Sequence, residues 1–535
     1  MPEENNTKEN TEMKFVRKNN NFKKTEPKQE TSSMGGEIKK LGKESAIYGI
    51  SNVLSRFLNF FLTPFYTYFL PTGAYGIVAG VYSYIAFLNI LYHYALDQAY
   101  MQYFGNRQQA FSAALKFQSG TTAFLTFALC AFAPFWANLG GIAAKYVYFA
   151  SAILVLDTVL IIPFADLQMR HKSKKFAIIK SLGIILNVLI IVAAIACFKC
   201  GIDSVFWANI VSSLLQIILI LPEFKLFSIK KDPGAKELLK KMLEYAWPLF
   251  LAEAGIMIVQ VFDRPIMLKA MGESAVGVYQ AAAKLGIFMQ LLVNMFYTAW
   301  RPFVIERRGK DDAETRRLFS KIFTYSTAFT LSAWLLLSFF VGDIVQFKVF
   351  GKSFFNANYW GGIKLLPLFF GSYVIYGMYI NLLSAVLITK KSKVSAIVAI
   401  TSSLLSLAGN YLLIPRLGMS GGAIMLIVSY SIMCGMMLFF SRKIYPVRYE
   451  WRRIAILFAA AAACFAPAVP WYLSLWGFNM PAGLAFMASH AMPIKILCAI
   501  IFPAAIWNLG FFGIEEKNAI KGYMQKRFGK YLPKH

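Results

Sequence analysis

The stretch SAIYGISNVLSRFLNFFLTPFYTYFL, Ser45 to Leu70, decides the fold. It is apolar and long enough to cross a bilayer as a helix, yet Arg56 falls near its middle. At helical spacing Tyr48, Asn52, Ser55, Arg56, Asn59, Thr63 and Tyr66 make one stripe, while Val53, Leu54, Phe57, Phe60, Phe61 and Leu62 fill the rest. A guanidinium at the centre of a bilayer costs about 2.5–3.5 kcal/mol even on a lenient insertion scale. The stripe therefore has to face a wet cavity or a partner inside a bundle. One reading is a solvated, cationic cavity for an anionic substrate. The competing reading is an interhelical ion pair or an Arg that snorkels to the surface.

Composition extends this from one segment to the whole chain. Of 535 residues, 57% are hydrophobic, 16% aromatic and only 15% charged. Mean hydropathy is +0.52. Soluble domains carry about 25% charged residues, so this is an integral membrane protein. A net charge of +28 would suggest nucleic acid in a soluble chain. Here the Lys and Arg fall in short loops on alternate sides of apolar spans, which the positive-inside rule explains without a nucleic-acid partner.

Residues 1–44 are polar and read as a disordered cytoplasmic tail, with no cleavable signal. About fourteen spans of roughly 20 residues follow: 45–69, 75–96, 114–137, 142–165, 176–197, 203–222, 243–263, 275–299, 319–341, 362–388, 394–414, 420–441, 453–474 and 491–512. Pro134, Pro367, Pro467 and Pro470 interrupt the third, tenth and thirteenth. The basic loops Arg170–Lys175, Lys225–Lys241, Arg301–Lys321, Lys390–Lys393 and Arg442–Arg453 share one side, which places both termini in the cytoplasm. A faint repeat sets Gly73-Ala-Tyr-Gly76 against Gly272-Glu-Ser-Ala-Val-Gly277, and Asp97-Gln-Ala99-Tyr100 against Tyr297-Thr-Ala299-Trp300. Its offset covers six spans, an even number, so the two halves run parallel. The expected fold is an all-α polytopic membrane protein: two six-helix, parallel-repeat lobes plus a terminal helix pair. Its parts are an N-lobe (45–222), a cytoplasmic linker (223–242), a C-lobe (243–441), the terminal pair (442–512) and a cytoplasmic tail (513–535).

Several polar residues interrupt the spans. Glu253 lies mid-helix in the counterpart of the first span, with Asp263-Arg264 at its outer end. It either carries a proton or neutralises Arg56 or Lys284 in a static bridge. Lys284 is one turn beyond Gln280. Asp157 is alone in its span, with Lys180 as its expected partner. His93 and Asp97, with Asn89 below, form either a proton relay or an interfacial hydrogen bond. Lys364 heads a span bearing Tyr373, Tyr376, Tyr379 and Asn381, a wall that suits sugar rings or simple packing. Cys130, Cys434, Cys464 and Cys498 lie in apolar runs, and Cys197-Phe-Lys-Cys200 has no second pair to complete a metal site. No catalytic set, nucleotide motif or cofactor motif occurs, which argues against an enzyme and for transport driven by an ion gradient or by the substrate's own gradient.

Three stretches resemble the polysaccharide and lipid-linked oligosaccharide flippases (Wzx type) of the multidrug/oligosaccharidyl-lipid/polysaccharide exporter superfamily. They are Asn52-Val-Leu-Ser55-Arg56 through Tyr75-Gly76; Asp263-Arg264-Pro-Ile-Met with Gly277-Val-Tyr279 and Lys284; and Asn410-Tyr-Leu-Leu-Ile-Pro415-Arg-Leu-Gly418 with Gly421-Gly422-Ala423. The resemblance covers about residues 38–512, and the tail is longer than the family's usual short basic start. It implies a bacterial inner-membrane protein that turns an undecaprenyl-diphosphate-linked sugar unit (O-antigen, capsule or exopolysaccharide) from the cytoplasmic to the periplasmic leaflet by alternating access. Its partners would be that lipid-linked oligosaccharide, membrane lipids, and a polysaccharide polymerase with chain-length machinery. Arg56 and Lys284 match motif positions and carry over a substrate-facing role, with Asn52 and Asn59 on the same stripe as Arg56; Asp263-Arg264 carries a gating or structural role. Lys364, Tyr376, Glu253 and Asp157 rest on the reading of the residues alone. The alternatives are a multidrug or cation antiporter of the same superfamily and a peptidoglycan-precursor lipid flippase.

Overall fold

Several helices in this chain end where proline, glycine or a left-handed residue interrupts an apolar run. The computed structural model describes residues 57–58, 60–227, 233–307, 312–349, 351–389, 391–475, 477, 481, 491–513 and 516–518. Asn52, Arg56 and Asn59 lie outside them. Residues 60–69 form α1, and Pro71 precedes α2 (Thr72–His93). Tyr94 and Ala95, at φ 55° and 51°, break α2 from α3 (Leu96–Gln102). The pair α4 (Arg107–Ala131) and α5 (Ala133–Gly140) bends by 76° at Phe132. Pro134 sits in the first turn of α5, where its missing N–H is no loss. Then come α6 (Ala144–Met169), α7 (Ser173–Val192) and α8 (Asp203–Ile220).

The next series is α9 (Pro233–Val261), α10 (Asp263–Met271), α11 (Glu273–Leu285), α12 (Ile287–Glu306) and α13 (Asp312–Gln346). A small antiparallel hairpin pairs β1 (Lys348–Val349) with β2 (Lys352–Ser353), Lys348 opposite Ser353. A tight helical segment, Ala357–Leu365, leads into α14 (Leu366–Leu382), whose first turn holds Pro367. The chain continues through α15 (Ser384–Thr389), α16 (Ser392–Leu417), α17 (Met419–Ile444), α18 (Trp451–Phe465), α19 (Val469–Leu475) and α20 (Ala491–Asn508). Eleven described helices are long and apolar enough to cross a membrane, or thirteen when each bent pair counts as one span. They fall one for one on the second to fourteenth expected spans, and breaks in the third, tenth and thirteenth lie beside Pro134, Pro367, Pro467 and Pro470. Phe124, Phe127, Leu189, Ile218, Leu404 and Ile500 point outward and stay exposed, an apolar belt that only lipid can cover.

The helices pack without a sheet between them. α6 lies against α2, α4 and α8; α16 lies against α9 and α17; α14 lies against α13 and α17. α2 also touches α9, α10 and α11. Its crossing with α11 is made of backbone. A Cβ on Gly76 would sit 1.8 Å from the Glu273 carbonyl oxygen, and one on Gly277 would sit 1.9 Å from the Thr72 carbonyl oxygen. The two glycines of the sequence repeat thus face each other. Beside them the Asn356 N–H donates to Thr67 Oγ1 at 3.2 Å, and the Tyr359 hydroxyl donates to the Leu70 carbonyl at 2.9 Å.

Alanine normally stabilises an exposed helix by up to about 1 kcal/mol over glycine. At Gly76 the sign reverses, because the added methyl meets backbone and overpacking costs about 1–3 kcal/mol. Gly76→Ala is expected to lower the thermal unfolding midpoint of purified protein, whereas Gly435→Ala, with open space around its Cβ, is expected not to lower it.

Candidate functional site: a polar cavity within the bundle

Along α8 the only interruptions of the apolar run after Ala208 are Asn209, Ser212, Ser213 and Gln216, spaced i, i+3, i+4, i+7. That spacing puts all four on one face. The opposite face, Trp207, Val211, Leu214 and Ile218, is exposed to the membrane side. The polar face opens on a cavity of about 560 Å³ walled by α1, α2, α6, α7, α8, α11 and α12. Tyr66, Tyr75 and Tyr82 supply ring surface; Asn187, Asn209, Gln216, Gln280 and Gln290 supply amides; Thr63, Ser212 and Ser213 supply hydroxyls. Asp157 and Lys284 are the two charged residues on the described wall. Thr63 and Tyr66, the described end of the Arg56 stripe, both line it.

The wall is partly pre-ordered. Asn209 Nδ2 donates to the Tyr82 hydroxyl at 3.0 Å. Ser213 Oγ donates to Asp157 Oδ1 at 2.8 Å. The expected Asp157–Lys180 pair is absent among the described residues. Lys180 lies instead over the Phe176 and Phe164 rings, at 5.2 and 5.9 Å, so a hydroxyl one helix away took the role assigned to the lysine. Lys284 has neither a carboxylate nor a hydrogen-bond partner among the described residues, and its near charged neighbour is the like-charged Arg264. The proposed static bridge from Glu253 to Lys284 is not formed.

Asp263 and Arg264 behave differently. Asp263 is buried; its Oδ1 accepts from Arg264 Nη1 at 2.8 Å and from the Arg264 backbone N–H at 2.9 Å, and its Oδ2 accepts from the Tyr279 hydroxyl. Arg264 also donates through Nε to Gln280 Oε1 at 3.0 Å and through Nη1 to the Gln260 carbonyl. The pair is a closed network that touches the cavity only through Gln280. Glu253 lies off the cavity wall, where the Gln98 amide donates to it and Asp97 is close enough to repel it. Lys364 sits in the Ala357–Leu365 segment. Tyr376 packs against Tyr379 and Tyr430, with ring centres 5.9 and 4.9 Å apart. Neither lines the cavity.

Two charge clusters escaped the sequence reading. Asp166, fully buried, accepts from the Tyr100 hydroxyl at 2.7 Å and pairs with Arg107 at 2.7 Å and Arg170 at 2.8 Å. Arg170 and Lys175 in turn meet Glu223. Lys495, also fully buried, pairs with Asp343 at 2.8 Å and lies 3.4 Å from the centre of the Trp471 ring, which ties α20 to α13 and α19. No group of three His, Cys, Asp or Glu residues suited to a metal occurs among the described residues, and all six cysteines are free, Cys197 and Cys200 both exposed.

Solved structures share this fold, a long helical bundle with a polar cavity inside its apolar belt. The lipid II flippase MurJ in an inward closed conformation matches with a TM-score of 0.64 at 16% identity, over 86% of this chain and 99% of that one. An inward-facing multidrug-resistance transporter of the MATE family matches at 0.58 and 14%, over 76% and 97%. A transporter of the same superfamily from Pyrococcus furiosus, described as having a binding pocket of reversed polarity, matches at 0.53 and 14%, over 76% and 95%. No curated protein sequence matches significantly. The family model "Polysaccharide biosynthesis protein" matches residues 41–306. That match covers just under half of the chain, and the likeness to the solved structures is one of fold.

The Asp343–Lys495 pair is asymmetric, Asp343 keeping about a quarter of its exposure and Lys495 none. Asp343→Asn leaves a buried ammonium uncompensated and should cost about 3–5 kcal/mol. Lys495→Met leaves a carboxylate that water reaches, and should cost less. Thermal unfolding of the two purified variants gives the order.

Proposed function

We propose that this protein carries an undecaprenyl-diphosphate-linked oligosaccharide, the repeat unit of an O-antigen, capsule or exopolysaccharide, from the cytoplasmic to the periplasmic leaflet of a bacterial inner membrane. The supporting observation is the cavity wall, where amides, hydroxyls and tyrosine rings surround one ammonium, Lys284, that no described carboxylate neutralises. Amides and hydroxyls hydrogen-bond sugar hydroxyls, and tyrosine faces stack on sugar rings. Lys284 binds the diphosphate while the prenyl chain stays in the bilayer. In sequence Arg56 precedes Thr63 by two helical turns, and Asn59 precedes it by one. We assign Arg56, Asn52 and Asn59 to the continuation of the same wall.

In this reading the N-lobe (45–222) and C-lobe (243–441) rock against each other across the α2–α11 crossing, joined by the linker 223–242 and flanked by the pair 442–512. Asp157, on the wall, and Glu253, outside it, exchange the coupling proton or sodium ion. Asp263 and Arg264 hold α9, α10 and α11 in register as the lobes move. Lys364 and Tyr376 lie off this wall. Both termini face the cytoplasm. A cation exporter fits less well, because an unneutralised ammonium in a low-dielectric cavity repels cationic cargo.

A charge-assisted contact to phosphate is worth about 1.5–3 kcal/mol, so Lys284→Gln should cut surface polysaccharide roughly tenfold to hundredfold with normal membrane insertion. Lipid-linked units should accumulate inside, and Lys284→Arg should retain export. Arg56→Ala should act like Lys284→Gln. Normal export in Lys284→Gln removes the assignment. In liposomes, transport should follow an imposed pH or sodium gradient and lose that response in Glu253→Gln or Asp157→Asn; indifference of the unmodified protein to both gradients removes the coupling roles.

A further inference from the structure

A concentration of positive charge lies away from the cavity, on the basic face of the bundle. There the first turns of α13, the link before α18 and the segment after α20 enclose a concavity of about 780 Å³. Five cations line it, Arg316, Arg317, Lys321, Arg448 and Arg453, against two carboxylates, Glu450 and Glu516. Both carboxylates are engaged by one residue: Arg453 reaches Glu450 at 3.4 Å and Glu516 at 3.2 Å, which fixes α18 to the segment after α20. Arg316 stacks 4.9 Å from the centre of the Tyr445 ring and reaches Asp312 at 3.3 Å, while its Nε is buried with no partner. The side chains of Arg317, Lys321 and Arg448 have no hydrogen bond or ion pair among the described residues. Ser320 Oγ donates to the Arg448 carbonyl at 2.7 Å, so the two sides of the concavity are held together.

The depth of the concavity says what kind of anion belongs there. Each bounding element turns from polar to apolar at this level: Lys321 to Ile322 on α13, Arg453 to Ile454 on α18, and Gly513 back to Phe512 after α20. Tyr445, Tyr449 and Trp451 cluster beside it on Phe319 and Phe323, with ring centres 4.6–6.3 Å apart. Aromatic residues of this kind collect at the head-group layer, and basic pockets between helices at that layer bind lipid phosphates. Trp451 and Phe458, two turns apart on one face of α18, are both exposed and offer an apolar surface leading down from it.

We infer that the concavity between α13, the 445–453 link and the segment after α20 is a binding site for the phosphate head group of an anionic membrane phospholipid, distinct from the transport cavity. The three cations, unpaired among the described residues, take the phosphodiester oxygens, and Arg316 adds its charge to the rim. Bound lipid then bridges the terminal helices to α13, beside the Arg453 ion pairs that join α18 to the segment after α20. The site needs no assumption about which substrate the cavity carries.

Native mass spectrometry of the full-length protein, titrated with phosphatidylglycerol or phosphatidylcholine, tests this. Phosphatidylglycerol should be retained in preference to phosphatidylcholine. Each cation near a phosphate layer changes affinity about fivefold, so the triple variant Arg317→Gln/Lys321→Gln/Arg448→Gln should lose about a hundredfold. The charge-conserving triple Arg317→Lys/Lys321→Arg/Arg448→Lys should keep most of the preference, which separates charge from folding. Lys236→Gln/Lys240→Gln, on another stretch of the basic face, should leave it intact. Equal retention of the two lipids, undiminished retention by the triple glutamine variant, or an equal loss in the Lys236/Lys240 variant overturns the site. Displacement of phosphatidylglycerol by millimolar inorganic phosphate would mark a soluble-anion site and overturns the lipid assignment.

Discussion

Hydrocarbon cannot solvate an amide, a hydroxyl or an ammonium, and the arrangement of this bundle follows from that constraint. α8 shows it most directly. Its exposed face is Trp207, Val211, Leu214 and Ile218, and its polar face is Asn209, Ser212, Ser213 and Gln216. Only one rotation of the helix about its axis satisfies both. Once α8 is fixed, α6 must bring Asp157 within reach of Ser213, and α2 must bring Tyr82 within reach of Asn209. The cavity is what remains when several helices each turn such a stripe inward.

Charges inside the structure divide by whether their partners are complete. Asp166, Asp263 and Lys495 are deeply buried and each is matched by an opposite charge. Removing either member strands the other, so these groups fasten helices together. Lys284 has no such match among the described residues and borders about 560 Å³ of space. An ammonium there is tolerable only if the space holds water or an anion. This difference gives Lys284 a functional reading and withholds one from Asp263 and Arg264, although all three were equally conspicuous as charges in an apolar sequence.

The spans and their breaks were legible because both are local. Hydropathy over twenty residues marks a span, and Pro134, Pro367, Pro467 and Pro470 interrupt helices wherever the rest of the chain lies. Thr63 and Tyr66 were legible for the same reason, since a stripe on one helix needs no knowledge of its neighbours. The partner of Asp157 was not. Periodicity orients Asp157 on α6 but cannot say whether α7 or α8 covers that face, and Lys180 and Ser213 differ by that choice alone. Asp343 and Lys495 are 152 residues apart, beyond any pattern within a span. The α8 stripe carries a readable signal, four polar residues at i, i+3, i+4, i+7, but none of them is charged, so it stands out less than Arg56 or Glu253. In a membrane, uncharged amides on one face are as informative as a lone arginine.

The repeat acquires a physical meaning from the α2–α11 crossing. Gly76 and Gly277 come from the two copies of one motif, and each leaves room for a carbonyl oxygen of the other helix. Side chains that interlock at a helix contact must be withdrawn before the helices can shift. A contact between backbones has nothing to withdraw. Around it the cross-links are single hydrogen bonds, Asn356 to Thr67 and Tyr359 to Leu70, each worth about 1 kcal/mol net. The Asp166 and Asp263 networks lie within the parts that the proposed rocking would move as units. Away from the crossing, Gln98 meets Glu253, and the Tyr94 and Phe250 rings stack with centres 4.7 Å apart. The crossing is thus the pivot, and these side chains are what the motion must part. A close but smooth contact beside weak, replaceable bonds is what that motion requires of its pivot.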